Sequence, residues 1–534
     1  MSDAKPQNAE ARDATVDAQA RVVQQKGFLD DVIDGVQLGL VVIFFICLVF
    51  VAIFNTSLPA IFPVCQPLYD TVVGLPQLLA QMPDLETVLA TLPKTLDEVC
   101  DLRVRVGEWT AHMLHELAYK KWVLGLSWAV YLWQAKLNVR QRDRLHEVRR
   151  PRGIATFISR QVYLEANAYG LDKSSLQLVQ DFVGQVQTTW IIVYDMVPWL
   201  WAWVGGVVGD SSVLLQSVGF FVAASLVSTA LSLPFSIYAT FVVESKHGFN
   251  KQSAGLFCAD MIKSMVLLVV LGAPLVAGFL WVVERTGERF YLYAWALMAG
   301  VQLLMIVIYP TLIQPMFNTF NPLPEGELRT AIEALAARLQ FPLKKLYVVD
   351  GSKRSSHSNA YVFGFFKAKR IVIYDTLISQ CTTEEIVAVV GHELGHWKKS
   401  HTVQMLLMAQ VQILLIFYSF SCFVTEPHMY ESFGVDGMPV MLGFLFFQYL
   451  YEPLGMVLQF ATNIVSRVNE FQADAFSKDL GYAEQLASCL IKLQIENKAA
   501  MNPDPLYSAF TYSHPPLVER LDALGNPHLA SKDE

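Results

Sequence analysis

The sequence predicts a mainly α, polytopic membrane protein that carries a small α+β domain outside the bilayer. Three observations predict it. Of 534 residues, 53% are hydrophobic and only 16% charged; long apolar runs recur along the chain; and one helical stretch reads HELGH at 392–396. A soluble domain carries about a quarter charged residues, so this balance calls for lipid around much of the chain. The net charge of -8 provides no basic surface for nucleic acid. Seven cysteines are scattered without a CxxC pair and do not read as a disulfide framework or a Cys-based zinc site.

Residues 1–35, rich in Ala, Gln, Asp and Lys at their start, are expected to form a disordered tail. Val36–Phe54 is long enough to cross a bilayer and lacks a small-residue cleavage site, so it reads as an anchor rather than a signal peptide. With the Pro-rich stretch after it, it makes an expected anchor-plus-loop unit over 36–110. Asn55 opens a formal glycosylation sequon close to the membrane. His112 and His115, three residues apart without an obvious acidic partner, read as a surface helix rather than a second metal site.

Further apolar runs fall at about 117–136, 187–209, 213–241, 264–283, 290–313, 403–424 and 438–460, giving roughly eight candidate spans with the first. Charge sets their orientation. The loop after the second span holds Lys136, Arg140, Arg142, Arg144, Arg149, Arg150 and Arg152, and should be cytoplasmic. Alternation then puts the Glu426–Gly437 loop, which has no Lys or Arg, outside. Both termini and the two segments 314–402 and 461–534 fall inside. The chain thus divides into 111–313 (membrane helices), 314–402 (peptidase insert), 403–460 (two membrane helices) and 461–534 (completing the site).

Within the insert, Leu328, Ile332, Leu335 and Leu339 share one helical face over Glu327–Leu339. Strands are expected at Leu346–Val349, Tyr361–Phe366 and Arg370–Tyr374, the last two joined by a tight Lys-rich turn. The HELGH helix follows. Four residues apart, His392 and His396 lie one turn apart on one face, a spacing that lets two imidazoles bind one Zn²⁺. Glu393 then stands beside the open position as general base. A third protein ligand is required. Glu470 in SRVNEFQAD (466–474) can supply it, and Asp474, one turn on, can fix the tautomer of a ligating histidine. The bland alternative is a solvated acidic face. His514, before Pro515 and Pro516, could donate to an oxyanion or simply occupy a surface turn.

HELGHW at 392–397, SRVNEFQAD at 466–474 and YSHPP at 512–516 resemble the signature blocks of the CaaX prenyl protease 1 family. YLEANAYGLDKSSL at 163–176, VESKHGFNKQS at 243–253, IQPMFNTFNPLPEGEL at 313–328 and SSHSNAYVFGFFKAKRIVIYDTL at 355–377 are also similar to family blocks. The resemblance implies a ring of about seven transmembrane helices around a water-filled chamber, here with one extra N-terminal span, and a zinc domain on the cytoplasmic side. It implies one Zn²⁺ held by His392, His396 and Glu470, with Glu393 as base, Asp474 behind the ligands and His514 near substrate. Asn359 and Ala360 match an edge-strand segment that pairs with the substrate backbone. The implied reaction is removal of the C-terminal tripeptide from prenylated CaaX proteins at the endoplasmic reticulum membrane. Two other readings fit the same residues: a quality-control zinc protease indifferent to prenylation, and a transporter or scaffold without protease activity.

Overall fold

The computed structural model describes residues 119–209, 212–364 and 369–525. The tail 1–35, the span Val36–Phe54, the loop to residue 110, the Asn55 sequon, the His112/His115 pair and the tip of the Lys-rich turn lie outside the described residues.

The described residues 119–308 are mostly helical, with long helices α1 (Tyr119–Leu145), α2 (Arg160–Val193), α3 (Met196–Val208), α4 (Val213–Tyr238), α5 (Ala254–Thr286) and α6 (Phe290–Ile308). Three of these begin on a serine. Ser159, Ser212 and Ser253 accept hydrogen bonds from Val162 N, Leu215 N and Leu256 N, each satisfying one of the amides that a first turn leaves free. Between α2 and α3 the chain bends by 66° at Asp195, which adopts left-handed backbone with φ 52°.

Every apolar run after residue 117 falls on helix where it is described. Among the described residues, four helical runs are long and apolar enough to cross a membrane, or five when the bent α2–α3 pair is taken as one span. One of the four, Ala254–Phe317, contains two of the expected crossings. A Cβ placed on Gly278 would lie 3.7 Å from Leu297 Cδ2. Residues nineteen positions apart on a straight helix would be roughly 28 Å apart, so α5 and α6 fold back as a hairpin at Gly287–Arg289. The helix on the 117–136 run, α1, is not among the four: Lys120 and Lys121 open it, and Gln134, Lys136 and Asn138 interrupt its apolar stretch.

The insert forms a four-stranded sheet in the order β1-β2-β4-β3: β1 (Phe320–Pro322), β2 (Leu343–Val349), β3 (Ala360–Phe363) and β4 (Lys369–Tyr374). β2 and β4 run parallel and the outer pairs antiparallel, with β3 at one edge. Helix α7 (Glu327–Arg338) lies against the sheet and is followed, after β4, by the HELGH helix α8 (Thr383–Lys398). The longer helices that follow are α9 (His401–Ser421), α10 (Val440–Asp479), α11 (Ala483–Glu496) and α12 (Leu517–Leu524).

One core unites the two sequence-distant segments. Ile332 and Leu335 of α7, Ile371 and Ile373 of β4, and Ile386, Val390 and Leu394 of α8 pack with Leu486 of α11 and Leu517, Leu521 and Leu524 of α12. Burying this shared apolar surface at about 25 cal/mol per Å² fixes 461–534 onto 314–402 although two apolar helices separate them in sequence. Helix α10 is continuous across residue 460, so the boundary expected there falls inside one element. Its 40 residues make it roughly 60 Å long, twice the hydrocarbon thickness. The same rod can therefore start in lipid and present Glu470 beyond it.

Candidate active site

Helix α8 is held at both ends. Thr382 and Glu385 form a capping box: the Thr382 side chain accepts from Glu385 N at 3.4 Å, and Glu385 Oε2 accepts from Thr382 N at 2.8 Å. The same carboxylate accepts from Ser488 Oγ at 2.6 Å and Lys492 Nζ at 2.7 Å, tying the start of α8 to α11. Further along, α8 and α10 meet at Gly395. A Cβ there would lie 3.1 Å from Ala473 Cα and 3.2 Å from Phe476 Cβ, so any side chain would force the two helices apart by a few tenths of an ångström. Ser477 Oγ donates to Ala388 O at 3.0 Å across the same contact. Gly395→Val should overpack this contact, lowering stability by about 1–3 kcal/mol and weakening metal binding as Glu470 is pushed away. A thermal melt and a zinc titration of the variant check both.

The close contact brings Glu470 opposite the two histidines. His392 Nε2 and His396 Nε2 are 3.1 Å apart; Glu470 presents Oε1 at 3.3 Å from His396 Nε2 and Oε2 at 3.5 Å from His392 Nε2. Donors set at 2.0–2.1 Å around a tetrahedral Zn²⁺ stand roughly 3.3 Å from one another, so these spacings fit one ion. Glu470 Oε2 is buried with no hydrogen-bond donor in range. Two imidazole nitrogens facing at 3.1 Å likewise need a cation or proton between them. The surroundings of His392 favour positive charge: burial opposes it, but the neighbouring Asp474 and Glu470 carboxylates outweigh burial and lift its pKa to about 9. Among the described residues, His392, His396 and Glu470 are the group of His, Cys, Asp and Glu able to hold a metal.

Behind the triangle, His392 Nδ1 lies 2.8 Å from Asp474 Oδ1, where N–H donation leaves Nε2 free for a metal. Asp474, 1% exposed, is in turn gripped by Arg520 of α12 through Nη2 at 2.7 Å and Nε at 2.8 Å. Asp474→Asn should lower zinc affinity by about 10–100-fold and destabilise the fold, because buried Arg520 loses its counter-charge. Competition with a chelator and a denaturant titration measure the two effects. His514 comes to the site: its Nε2 is 3.4 Å from Glu470 Oε1, while Ser513 Oγ lies 3.0 Å from Nδ1. A hydroxyl donating to Nδ1 places the imidazole proton on Nε2, the nitrogen facing the site. Burial raises the Glu393 carboxyl above its ordinary range, with His392 and His396 pulling the other way. That is the direction a general base near neutral pH requires.

Two family models match in succession: CAAX prenyl protease N-terminal, five membrane helices, over residues 141–319, and Peptidase family M48 over 322–528. The chain is 47% identical to a rice (Oryza sativa) CAAX prenyl protease 1 homolog over 76% of this chain and 97% of that protein. It is 37% identical to a human homolog (78% and 99% covered). The chain belongs to the CAAX prenyl protease 1 family. Among solved structures, the crystal structure of S. mikatae Ste24p superposes with TM-score 0.73 at 38% identity, covering 76% of this chain and 99% of that one. About a quarter of this chain lies outside that match.

Against this CAAX prenyl protease framework, Asn359 and Ala360 sit where β3 begins, at the sheet edge. Asn359 O accepts from Tyr374 N at 3.1 Å, and Asn359 Oδ1 accepts from Ala360 N at 2.8 Å. A peptide adding to this edge would compete with the Asn359 side chain for the Ala360 amide. Arg520 escaped the sequence reading. It lies six residues beyond His514 between Glu519 and Asp522, where an arginine looks like part of a solvated helix face.

Proposed function

We propose that this chain is a zinc-dependent membrane endopeptidase that removes the C-terminal tripeptide from farnesylated or otherwise prenylated CaaX proteins. The observation that carries the reading is the His392–His396–Glu470 triangle with Glu393 on the same helix, in a family whose curated members are named CAAX prenyl proteases. Zn²⁺ held by those three side chains would polarise the scissile carbonyl and lower the pKa of a water towards ~7. Glu393 accepts the water proton at its carboxylate and passes it to the leaving amine. His514 donates from Nε2 to the carbonyl oxygen as negative charge grows there. Asp474, oriented by Arg520, keeps the His392 proton on Nδ1 throughout. The β3 edge at Asn359–Ala360 lines up the peptide backbone.

The peptidase domain and both termini are assigned to the cytoplasmic face of the endoplasmic reticulum membrane. The Lys- and Arg-rich loops on one side, set against a Glu426–Gly437 loop that has none, support this orientation. About seven spans ring a chamber, and Val36–Phe54 adds an eighth. In support of the chamber, a cavity of about 910 Å³ opens between α1, α2 and α10. Trp133, Leu137, Tyr449 and Met456 mix there with polar Asn138 and Gln459. The sections 111–313, 314–402, 403–460 and 461–534 are retained as functional units, the last two sharing α10.

Purified full-length protein should release the terminal tripeptide from a farnesylated peptide, stop on chelation and recover on adding back one Zn²⁺ per chain. The same peptide without its prenyl group should be cut far more slowly. Equal rates would remove the prenyl requirement, and turnover unaffected by a chelator that strips the metal would remove the zinc mechanism.

A further inference from the structure

His401 is a buried imidazole, 4% exposed, that neither the ligand triangle nor the proton transfers above employ. It is the first residue of α9. Five residues after His396, it would point about 140° away from that ligand on one continuous helix. Ser400 prevents this: its left-handed backbone, φ 60° and ψ 27°, ends one helix and starts the next in a new direction. The His401 ring folds back beneath His396, with ring centroids 5.1 Å apart and planes at 74°. His396 Nδ1 and His401 Nδ1 are 3.0 Å apart, and His401 Nε2 lies 3.0 Å from Gln472 Oε1. Gln472 is on α10, two residues beyond Glu470.

Chemistry gives this chain of contacts one direction. His396 turns Nε2 towards the triangle, where a metal needs a lone pair, so its proton belongs on Nδ1. Nδ1–H must then donate to His401 Nδ1, which accepts. The His401 proton is left on Nε2, where it donates to the Gln472 amide oxygen, an atom with no proton to give. We infer that His401 is a positioning residue that holds His396 in its metal-binding tautomer, and that Gln472 orients His401 for that task. The inference rests on the zinc reading proposed above and deepens it. The two imidazole ligands would then be backed unequally: His392 by a carboxylate, His396 by a neutral imidazole. It also ties the start of an apolar helix, α9, directly to the site.

Zinc affinity of the full-length protein, measured by chelator competition, tests the inference with His401→Ala, His401→Phe, His401→Asn and Gln472→Met. Phe fills the space without accepting a hydrogen bond, whereas the Asn amide oxygen falls close to the position of the His401 Nδ1. Removal of an outer partner typically costs about 10–100-fold in affinity, so Ala and Phe should bind zinc that much more weakly, with Asn recovering most of the loss. Gln472→Met should weaken binding in the same direction by less. A Phe variant binding zinc like the wild type, or an Asn variant as weak as Ala, overturns the inference. Should His401→Ala lose its melting transition, the Phe–Asn contrast and Gln472→Met still decide. Wild-type protein that binds no zinc would instead refute the site reading itself, a separate result.

Discussion

Glu393→Gln should keep zinc bound and the fold intact while turnover of a farnesylated peptide falls by about 10³-fold, within the 10²–10⁴ range attributed to a positioned general base. Glutamine preserves the size of the side chain and cannot take up a proton. The side chain touches none of the distances that define the triangle, so His392, His396 and Glu470 should stay as they are. Zinc content by atomic absorption and tripeptide release under single-turnover conditions check the two halves together. A variant that keeps its metal and its rate would take Glu393 out of the chemistry. A variant that loses metal would mean that Glu393 shapes the site rather than reacting in it.

Local rules make half of this site readable from sequence. An i, i+4 pair of histidines faces one way on any helix, so HELGH announces two ligands regardless of tertiary context. The third ligand can be named because Glu470 and Asp474 repeat that spacing on a second helix and the surrounding block resembles a known family. That the two helices touch is not legible: it depends on Gly395 meeting Ala473, a contact between residues with almost no side chain. Arg520 and His401 are hidden for different reasons. Arg520 occupies an ordinary amphipathic helix and becomes a site residue only when α12 packs onto the insert. His401 is out of phase with His396 by helical arithmetic, and a serine in left-handed backbone turns it back towards that ligand. The sheet follows the same logic. β2, β3 and β4 carry β-branched and aromatic runs, whereas β1 is Phe-Asn-Pro and exists because its three residues pair with Tyr347–Val349.

Glu470→Ala should abolish zinc binding under conditions where the wild type holds one ion, and peptidase activity with it. Three protein ligands leave one position for water; two leave a site with too few donors to compete with solvent. The loss should exceed the 10–100-fold expected for an outer partner such as Asp474, and this ordering separates ligand from support. Stability moves for another reason. Glu470 is buried beside Arg520, whose Nη1 lies 3.6 Å from Oε2, and beside His514. Its removal leaves Arg520 with Asp474 as its remaining close carboxylate. Glu470→Gln therefore serves as the paired variant: it keeps the volume and an acceptor oxygen, and it removes the negative charge that a metal site needs. Both variants should fail to bind zinc, and Gln should melt closer to the wild type than Ala does. If Glu470→Ala retains zinc with wild-type affinity, the third donor lies elsewhere, and the close approach of α8 and α10 serves packing alone.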